Sequence, residues 1–515
     1  MPEAQPDTAA ATVFASSNEM EPFDYLMFRT EADPHSRSAG MGIEILDRVP
    51  DWERLVDAFD RASRVVVRMR QKVVVPTVAL STPRWVVDPD FDLTYHVRRI
   101  AVPPPGTLRQ VLDLAITMVE APLDTARALW EVALVEGLEG GRAALITKMS
   151  HAVTDGLGGM QLAKQIYDAD RDPPLRPMPP LPIPEDVTPQ DLTRHAARRL
   201  PMSAVETAAR GVGTLVGTAG RSLRQPAKSV SDAAAFVRSA RRMFGAPPVE
   251  PSPLLRRRSL ASRLEHHEVS IDALRRAGKA ADCSVNDAYV AAVCGALRRY
   301  HEALGVPVEA VPMAIPISLR TSDDPAGGNR FGGARLRAPV GEEDPVERMW
   351  LIREQVLAAR AEPAIGAMNL LAPVLSRVPA SMLSALNGLT ASTDVQASNV
   401  PGDPNPRYIA GALIEKQVPC GPLPGVAMMV VLLSLAGRGF VGVRYDTASV
   451  TEFDLFARCL REGFDEVIAV GDDGGLAGGA SADNGKTSTS KPKNKKTAAA
   501  KSRAGNPRPG TKKAT

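Results

Sequence analysis

A strand pattern, a His-x-x-x-Asp-Gly turn and a helix pattern follow one another near residue 150 and constrain this chain most. Residues 143–147 are apolar and follow Gly141, which is typical of a buried strand. From Leu157 onward, apolar residues recur at the spacing of one helix face. His151 and Asp155 therefore lie between strand and helix, where side chains can face a cleft. An imidazole there can take a proton from a hydroxyl and return it to a leaving group.

The same stretch also has a simpler interpretation. A lone His followed by Asp four residues later is common, and the Gly-Leu-Gly-Gly after it can be no more than a turn. Other histidines are weaker candidates. His96 follows a loop at Phe91 and lies in a predicted strand, on the face opposite its apolar neighbours. His266 and His267 are adjacent on a predicted strand and so point to opposite faces, which argues against a metal pair.

Further motifs fall in an order that resembles a known family. Residues 148–159 resemble the His-His-x-x-x-Asp-Gly motif of the bacterial wax ester synthase/acyl-CoA:diacylglycerol acyltransferase family, part of the coenzyme A-dependent acyltransferase superfamily. Pro122-Leu123 and Trp130-Glu131 look like the family's Pro-Leu…Trp element. The downstream motifs that match in the same order are Asn286-Asp287, Pro316-Ile317-Ser318-Leu319-Arg320, Gly328-Asn329 and Asn399-Val400-Pro401-Gly402.

Two positions depart from the family pattern. The first His of the motif is Ser150 here, while the second, which the superfamily uses as the base, is retained as His151. Asp403 follows Asn-Val-Pro-Gly where the family usually has Pro. The first change affects the tuning of the site more than its chemistry, and the second affects a loop.

The resemblance implies an α/β fold of two lobes with mixed sheets, similar to chloramphenicol acetyltransferase, and an active-site channel between the lobes. It implies transfer of a long-chain acyl group from acyl-CoA, as co-substrate, to diacylglycerol or a long-chain alcohol, with His151 as general base. It implies no metal and no bound redox cofactor. Asp155 would organise the turn, pairing with Arg320, and Gly156 would allow close approach of substrate or a partner strand.

The roles of the downstream motif residues are more open. Asn286 is a candidate oxyanion or substrate donor by the resemblance. Ser284 and Asp287 also fit a plain helix cap, which accounts for the same segment without any chemistry. By the same resemblance, Asn399 is a motif position that either binds substrate or has a structural role at the site.

Two other functions stay open at this stage. One is an acyltransferase for a different lipid or polyketide alcohol. The other is a non-catalytic lipid-binding protein in which Ser150 marks decay of the site. Retention of His151, Asp155 and Gly156 together favours an active enzyme. The sequence decides neither the acceptor, nor the acyl-chain length, nor the oligomeric state.

Composition shifts divide the chain. We predict a disordered N-terminus (1–20), an N-terminal acyltransferase lobe (21–172), a Pro-rich and basic helical linker (173–262), a C-terminal lobe (263–473) and a disordered Lys-rich tail (474–515). Within the lobes we expect a helix from Asp51, a helix over 108–118, strands over 130–135, 311–319 and 426–435, and a terminal helix over 451–469. Residues 417–437 lack charge, but their prolines and glycines argue against a transmembrane helix.

Charge is divided unevenly along the chain. Residues 474–515 hold eight Lys, two Arg and one Asp, a net charge of +9, so the preceding residues carry −6 of the total of +3. The tail is either a solubility device or a tether to anionic lipid or nucleic acid. The basic segment 190–245 is either a membrane-surface segment or a solvated connector. The apolar stretch 363–393 lines a core, an acyl tunnel or a membrane contact.

These features favour an enzyme in the cytoplasm, peripherally associated with the inner membrane face or with lipid droplets, and with no specific nucleic-acid partner. The cysteines show neither metal-ligand spacing nor a close-set disulfide framework, which fits a reducing compartment. Aromatic residues make up 4% of the chain, too few for a stacking platform that binds single-stranded nucleic acid. The first twenty residues contain no Lys or Arg and no sustained apolar run, so we expect no secretory signal.

Overall fold

Two six-stranded sheets organise residues 1–473, which form one unit of the chain; residues 474–515 form a second. The computed structural model describes residues 18–78, 82–198, 239, 247–318, 331–363, 371–373, 375–376, 378 and 393–479. Its strands are β1 Ala39–Leu46, β2 Gln71–Val74, β3 Arg84–Val87, β4 Val97–Ala101, β5 Trp130–Glu136, β6 Ala143–Ser150, β7 Ser262–Ser270, β8 Val311–Ser318, β9 Phe331–Ala338, β10 Val395–Val400, β11 Tyr408–Ile409, β12 Ala412–Cys420, β13 Met428–Leu435 and β14 Arg438–Asp446. Its helices are α1 Pro22–Thr30, α2 Trp52–Val65, α3 Leu93–His96, α4 Leu108–Glu120, α5 Gly156–Ile166, α6 Ile271–Ala280, α7 Val285–Ala303, α8 Pro345–Arg360 and α9 Phe453–Gly479.

The first sheet has the order β11-β12-β1-β6-β5-β4, and β1 pairs antiparallel with both β6 and β12. The second has the order β7-β14-β13-β10-β8-β9, and β2 and β3 form a separate hairpin. Both large sheets mix parallel and antiparallel pairs. Strands β11 and β12 come from the second half of the chain, so the first sheet is not built from the N-terminal half alone. This exchange ties the two halves together through main-chain hydrogen bonds.

Local sequence accounts for most of these elements. Asp51 caps α2 by accepting from the Arg54 amide, and Thr107 opens α4 with a capping box. The strands predicted at 130–135, 311–319 and 426–435 are β5, β8 and β13, and β13 pairs antiparallel with β14. The terminal helix continues to Gly479, ten residues past its predicted end. Within the described ranges, no helix has the length and apolarity needed to cross a bilayer.

The prediction for His96 was wrong in its local structure. Residues 93–96 form a short helix capped by Asp92, and the strand begins only at Val97. His96 is buried, its Nδ1 lies 2.7 Å from the Trp130 carbonyl oxygen, and its ring stacks on Trp130 at 4.5 Å. Burial lowers the pKa of His96, so it is a neutral core residue. The prediction failed because four residues are too few to show the helix period, so the segment was interpreted as alternating strand residues.

Several predicted segments fall largely outside the described residues. These are the N-terminus up to Ser17, the basic segment from 199 to 246 apart from Ser239, Arg320 and the tail beyond Gly479. In the apolar stretch 363–393, the described part around Ala372 packs against Phe23 and Leu26 of α1, and Arg29 donates to the Ser376 carbonyl at 2.9 Å. That part therefore contributes to a small core.

We expect Gly442→Ala to destabilise the fold where the two sheets meet. A Cβ at Gly442 on β14 would lie 1.7 Å from the Pro419 carbonyl oxygen of β12, so one backbone must shift. Overpacking of this kind costs about 1–3 kcal/mol, measured as a lower urea midpoint. Gly333→Ala on β9 is the matched control, because no described atom lies within 4 Å of its Cβ position. Equal midpoints for the two variants would contradict this account of the contact.

Candidate active site

The His-x-x-x-Asp-Gly stretch lies at the junction of β6 and α5. Strand β6 ends at Ser150, residues 151–153 form a turn, and α5 begins at Gly156. Asp155 is the N-cap of α5 and accepts a hydrogen bond from the Gly158 amide at 2.9 Å. A carboxylate at this end satisfies a free amide and favours the positive end of the helix dipole. Asp155 therefore fixes the direction in which the helix leaves the turn.

The His151 ring lies over β1. Its Nδ1 is 2.5 Å from the Ser38 carbonyl oxygen, and its Cε1 lies 3.0 Å from the position that a Cβ at Gly40 would occupy. A larger residue at 40 would push the ring away, so glycine is required here. Because a carbonyl oxygen can only accept, Nδ1 must carry the proton and Nε2 is the nitrogen with the lone pair. This tautomer presents Nε2 as the basic atom.

The electrostatics favour a neutral imidazole. Burial lowers the pKa of His151 from its ordinary value of 6.5, and this effect outweighs the hydrogen bond to Ser38 and the negative charges of Asp155 and Glu31, which raise it. At neutral pH the ring is therefore unprotonated and ready to accept a proton. The negative charge of Asp155 therefore has two effects: it raises the pKa of His151, and it stabilises the N-terminus of α5.

A buried polar cluster lies beside the histidine and was missed in the sequence. Ser150 and Ser38 both donate to Glu31 Oε1, each at 2.9 Å, and all three residues are buried. Ser150 thus occupies the place of the family's first His with a side chain that is hydrogen-bonded to a carboxylate. No spacing in a single sequence connects position 31 with position 150. The connection exists because β1 pairs with β6, with Ala39 opposite Ser150.

The second half of the chain reaches the motif through the end of β10. A Cβ at Gly156 would lie 3.2 Å from Val400 Cγ2, so the start of α5 passes close to the Asn399-Val400 segment. Asn399 itself is exposed, opposite Leu432 in the parallel pair β10–β13. Asp403, the second departure from the family motif, accepts from the Asn405 amide at 3.0 Å and pairs with Arg407 at 2.6 Å. These contacts hold the loop after β10.

The remaining predicted site residues are placed as follows. Asp287 forms a capping box with Ser284, whose amide and hydroxyl both donate to Asp287 Oδ2, and Asn286 is half-buried in the same first turn of α7. These contacts are local to α7 and match the capping interpretation. Arg320 lies outside the described residues, so its pairing with Asp155 stays a prediction. Among the described residues, no group of three or more His, Cys, Asp and Glu side chains has the arrangement of a metal site.

Two protein-family models match this chain. Residues 11–289 match the wax ester synthase/diacylglycerol acyltransferase catalytic domain, and residues 327–467 match the C-terminal domain of the same family. The chain belongs to this family. It is therefore an enzyme, an acyltransferase, and the family predicted from the motifs is confirmed.

Two relatives from Mycobacterium tuberculosis illustrate the similarity. A putative diacylglycerol O-acyltransferase is 52% identical over 463 residues, which cover 90% of this chain and 93% of the relative. A probable diacylglycerol O-acyltransferase, tgs2, is 32% identical over 376 residues, covering 70% of this chain and 78% of the relative. The family resemblance thus extends over nearly the whole chain.

Solved structures show the fold. The wax ester synthase/diacylglycerol acyltransferase of Marinobacter aquaeolei matches with a TM-score of 0.59 at 22% identity, covering 88% of this chain and all of that chain. The first condensation domain of the calcium-dependent antibiotic synthetase matches with a TM-score of 0.57 at 15% identity, covering 89% and 97%. The predicted two-lobed, chloramphenicol acetyltransferase-like α/β fold is confirmed.

Substitution of Asp155 should separate its two effects. Asp155→Ala should cost about 1 kcal/mol of stability through loss of the cap, whereas Asp155→Asn should not, because Asn caps equally well. Both variants remove the negative charge that raises the pKa of His151. The acidic limb of kcat/KM, expected below pH 6.5, should therefore move to still lower pH in both.

The measurements are urea unfolding and a pH profile of kcat/KM. Asp51→Ala and Asp51→Asn form the matched control pair, since Asp51 caps α2 in the same way. They should reproduce the stability pattern without moving the acidic limb. An unchanged pH profile in Asp155→Asn would show that Asp155 acts on the helix alone.

Proposed function

We propose that this acyltransferase moves a long-chain fatty acyl group from acyl-CoA to the free hydroxyl of diacylglycerol, with a long-chain alcohol as an alternative acceptor. The observation that carries the proposal is the Nδ1 hydrogen bond to Ser38, which leaves Nε2 of a neutral His151 as the base. The names of the mycobacterial relatives support diacylglycerol as acceptor, and the family name includes wax ester synthesis.

The chemistry needs one base and no covalent enzyme intermediate. His151 Nε2 takes the proton of the acceptor hydroxyl as its oxygen attacks the thioester carbonyl carbon. The tetrahedral oxyanion then collapses, the carbon–sulfur bond breaks, and the imidazolium returns the proton to the departing thiolate. General base catalysis of this kind contributes roughly 10²–10⁴-fold. In this proposal Asp155 is a positioning residue, and Ser150 and Glu31 support the turn that carries His151.

The acceptors implied are lipids, so we infer that the enzyme works at a lipid surface, at the inner membrane face or a lipid droplet. This inference is supported by charge: residues 474–515 carry a net charge of +9, whereas residues 1–473 carry −6. Each basic residue near an anionic bilayer contributes about 1 kcal/mol of attraction. A few in contact at once are enough for reversible association.

His151→Ala should reduce acyl transfer from palmitoyl-CoA to dioleoylglycerol by roughly 10²–10⁴-fold, the contribution of a general base. Free thiol release and the lipid products measure the rate, and circular dichroism checks the fold. His195→Ala is the matched control, because His195 is exposed in the helical segment 189–198. Near-normal turnover by folded His151→Ala protein would overturn the assignment.

Deletion of residues 474–515 should weaken binding to anionic liposomes, most strongly at low salt, because the attraction is screened within about 8 Å at physiological salt. The measurement is co-sedimentation with phosphatidylglycerol vesicles against salt concentration. Turnover of a short, soluble acceptor should be unaffected. Equal binding by full-length and truncated protein would move the membrane contact to another part of the chain.

A further inference from the structure

A second buried polar cluster lies on the strand that carries the floor of the active site. Tyr167 donates to Glu44 Oε1 at 2.8 Å, and Gln417 Nε2 donates to the Tyr167 hydroxyl oxygen at 3.0 Å. Glu44 on β1 lies opposite Gln417 on β12, and both side chains are buried. Tyr167 is the C-terminal cap of α5, the helix whose first turn follows His151.

The cluster faces the same side of β1 as the catalytic histidine. Residues 40, 42 and 44 share one face of the strand, because side chains alternate. His151 Cε1 lies 3.0 Å from the Cβ position of Gly40, and Glu44 Oε1 lies 3.1 Å from that of Gly42. Two residues of strand advance about 7 Å. The imidazole and the carboxyl group are therefore neighbours along one face of β1, with two glycines beneath them.

Close to Gly42, there is room at the position that a side chain would occupy. The described atoms within 4 Å of its Cβ position belong to Glu44 alone. The glycine pair thus forms a short lane, Gly40 to Gly42, that begins at the His151 ring and ends at the Glu44 carboxyl group. Glu44 Oε1, the oxygen that faces Gly42, already accepts from Tyr167, so a bound donor would share this atom or reach Oε2 behind it.

Two oxygen atoms of the cluster lack a hydrogen-bond partner among the described residues. They are Glu44 Oε2 and Gln417 Oε1, and both are buried. Burial raises the pKa of Glu44 from 4.5 to about 7, against the lowering effect of the hydrogen bond that it accepts from Tyr167. Buried acceptors without donors destabilise a fold, so their presence beside a reaction site points to a ligand that supplies the donor.

We propose that Glu44, Tyr167 and Gln417 form a substrate subsite that accepts hydrogen bonds from a hydroxyl or amide N–H carried close to the reacting group at His151. The inference rests on the proposed function, because it takes His151 as the point of reaction. Two substrates carry such a donor. One is an acceptor with a second free hydroxyl, such as a monoacylglycerol, which diacylglycerol and a long-chain alcohol are not; the other is the pantetheine arm of acyl-CoA, whose amide lies near the sulfur.

Paired substrates and a Glu44→Leu variant test the subsite. The acceptor pair is 1-O-hexadecylglycerol, with two free hydroxyls, and 1-hexadecanol, with one. The donor pair is palmitoyl-CoA and S-ethyl thiopalmitate, which lacks the amide. In each pair we measure the ratio of KM values for wild type and variant. At a pH above 7, where Glu44 is ionised, loss of a hydrogen bond to its carboxylate should change one ratio about tenfold or more against the substrate that carries the donor.

The pair that responds identifies the source of the donor. A change confined to the acceptor pair assigns the second hydroxyl, and a change confined to the donor pair assigns the pantetheine amide. Unchanged ratios in both pairs would overturn the proposal and leave Glu44 as a structural link between β1 and α5. Glu136→Leu on β5, whose carboxylate pairs with Arg99, is the matched control and should alter neither ratio.

The thermal stability of Glu44→Leu shows whether a change in its KM values reflects lost binding or misfolding. The raised pKa of Glu44 means that its ionised form is disfavoured in the folded state. Ionisation of Glu44 therefore destabilises the fold: the loss of stability is absent below pH 4.5, grows as pH rises from 4.5 to about 7, and is complete above that. Glu44→Leu should therefore raise Tm at pH 8 relative to wild type, with little change at pH 5. Tyr167→Phe, which removes the hydroxyl but keeps the ring, should shift the same KM ratio in the same direction.

A binding measurement keeps this inference separate from the proposed function. If wild-type protein shows no acyl transfer, the proposed function fails, yet calorimetric titration with coenzyme A and with 1-O-hexadecylglycerol still tests the subsite. Weaker binding of one of them to Glu44→Leu than to wild type supports the subsite. Equal binding of both to the two proteins overturns it.

Discussion

Pairing of β1 with both β6 and β12 is the constraint on which the rest of this structure depends. Strand β1 lies beneath the candidate active site, β6 leads into the turn with His151, and β12 brings residues from more than 350 positions later in the chain. Because antiparallel register fixes which residues are opposite one another, Ser38 and Gly40 meet His151 and Glu44 meets Gln417. A slip of one residue would turn every one of these groups to the other face.

Three local features define the state of His151 in the candidate site. A main-chain carbonyl fixes the tautomer, a glycine makes room for the ring, and burial keeps the imidazole neutral. Asp155 connects this arrangement to α5, because one carboxylate caps the helix and also acts electrostatically on the ring. The Ser150–Glu31 hydrogen bond then anchors the start of the turn from the buried side. The substitution of Ser for the family's His therefore leaves the position occupied by a bonded polar group.

Two buried carboxylate groups lie near the candidate site. Glu31 lies beside the turn and Glu44 lies along the glycine lane, and each has one carboxylate oxygen without a partner among the described residues. Replacement of such groups by apolar residues is often neutral or stabilising. Folding stability alone would not favour buried carboxylates in a core made mainly of Val, Ile, Leu and Ala. Activity and specificity are the natural reasons for such a cost.

Sequence reasoning was sufficient for the strand–turn–helix around His151, the helix from Asp51, the cap at Ser284 and the family, because each depends on neighbours a few residues apart or on motif order. It did not determine the short helix at His96, where four residues are too few to show a period. Three features became visible only in the folded chain: β12 completes the first sheet, Glu31 and Ser38 support the turn with His151, and Glu44 faces the same lane as His151. These contacts join residues far apart in the chain, and strand pairing, which local patterns do not encode, brings them together.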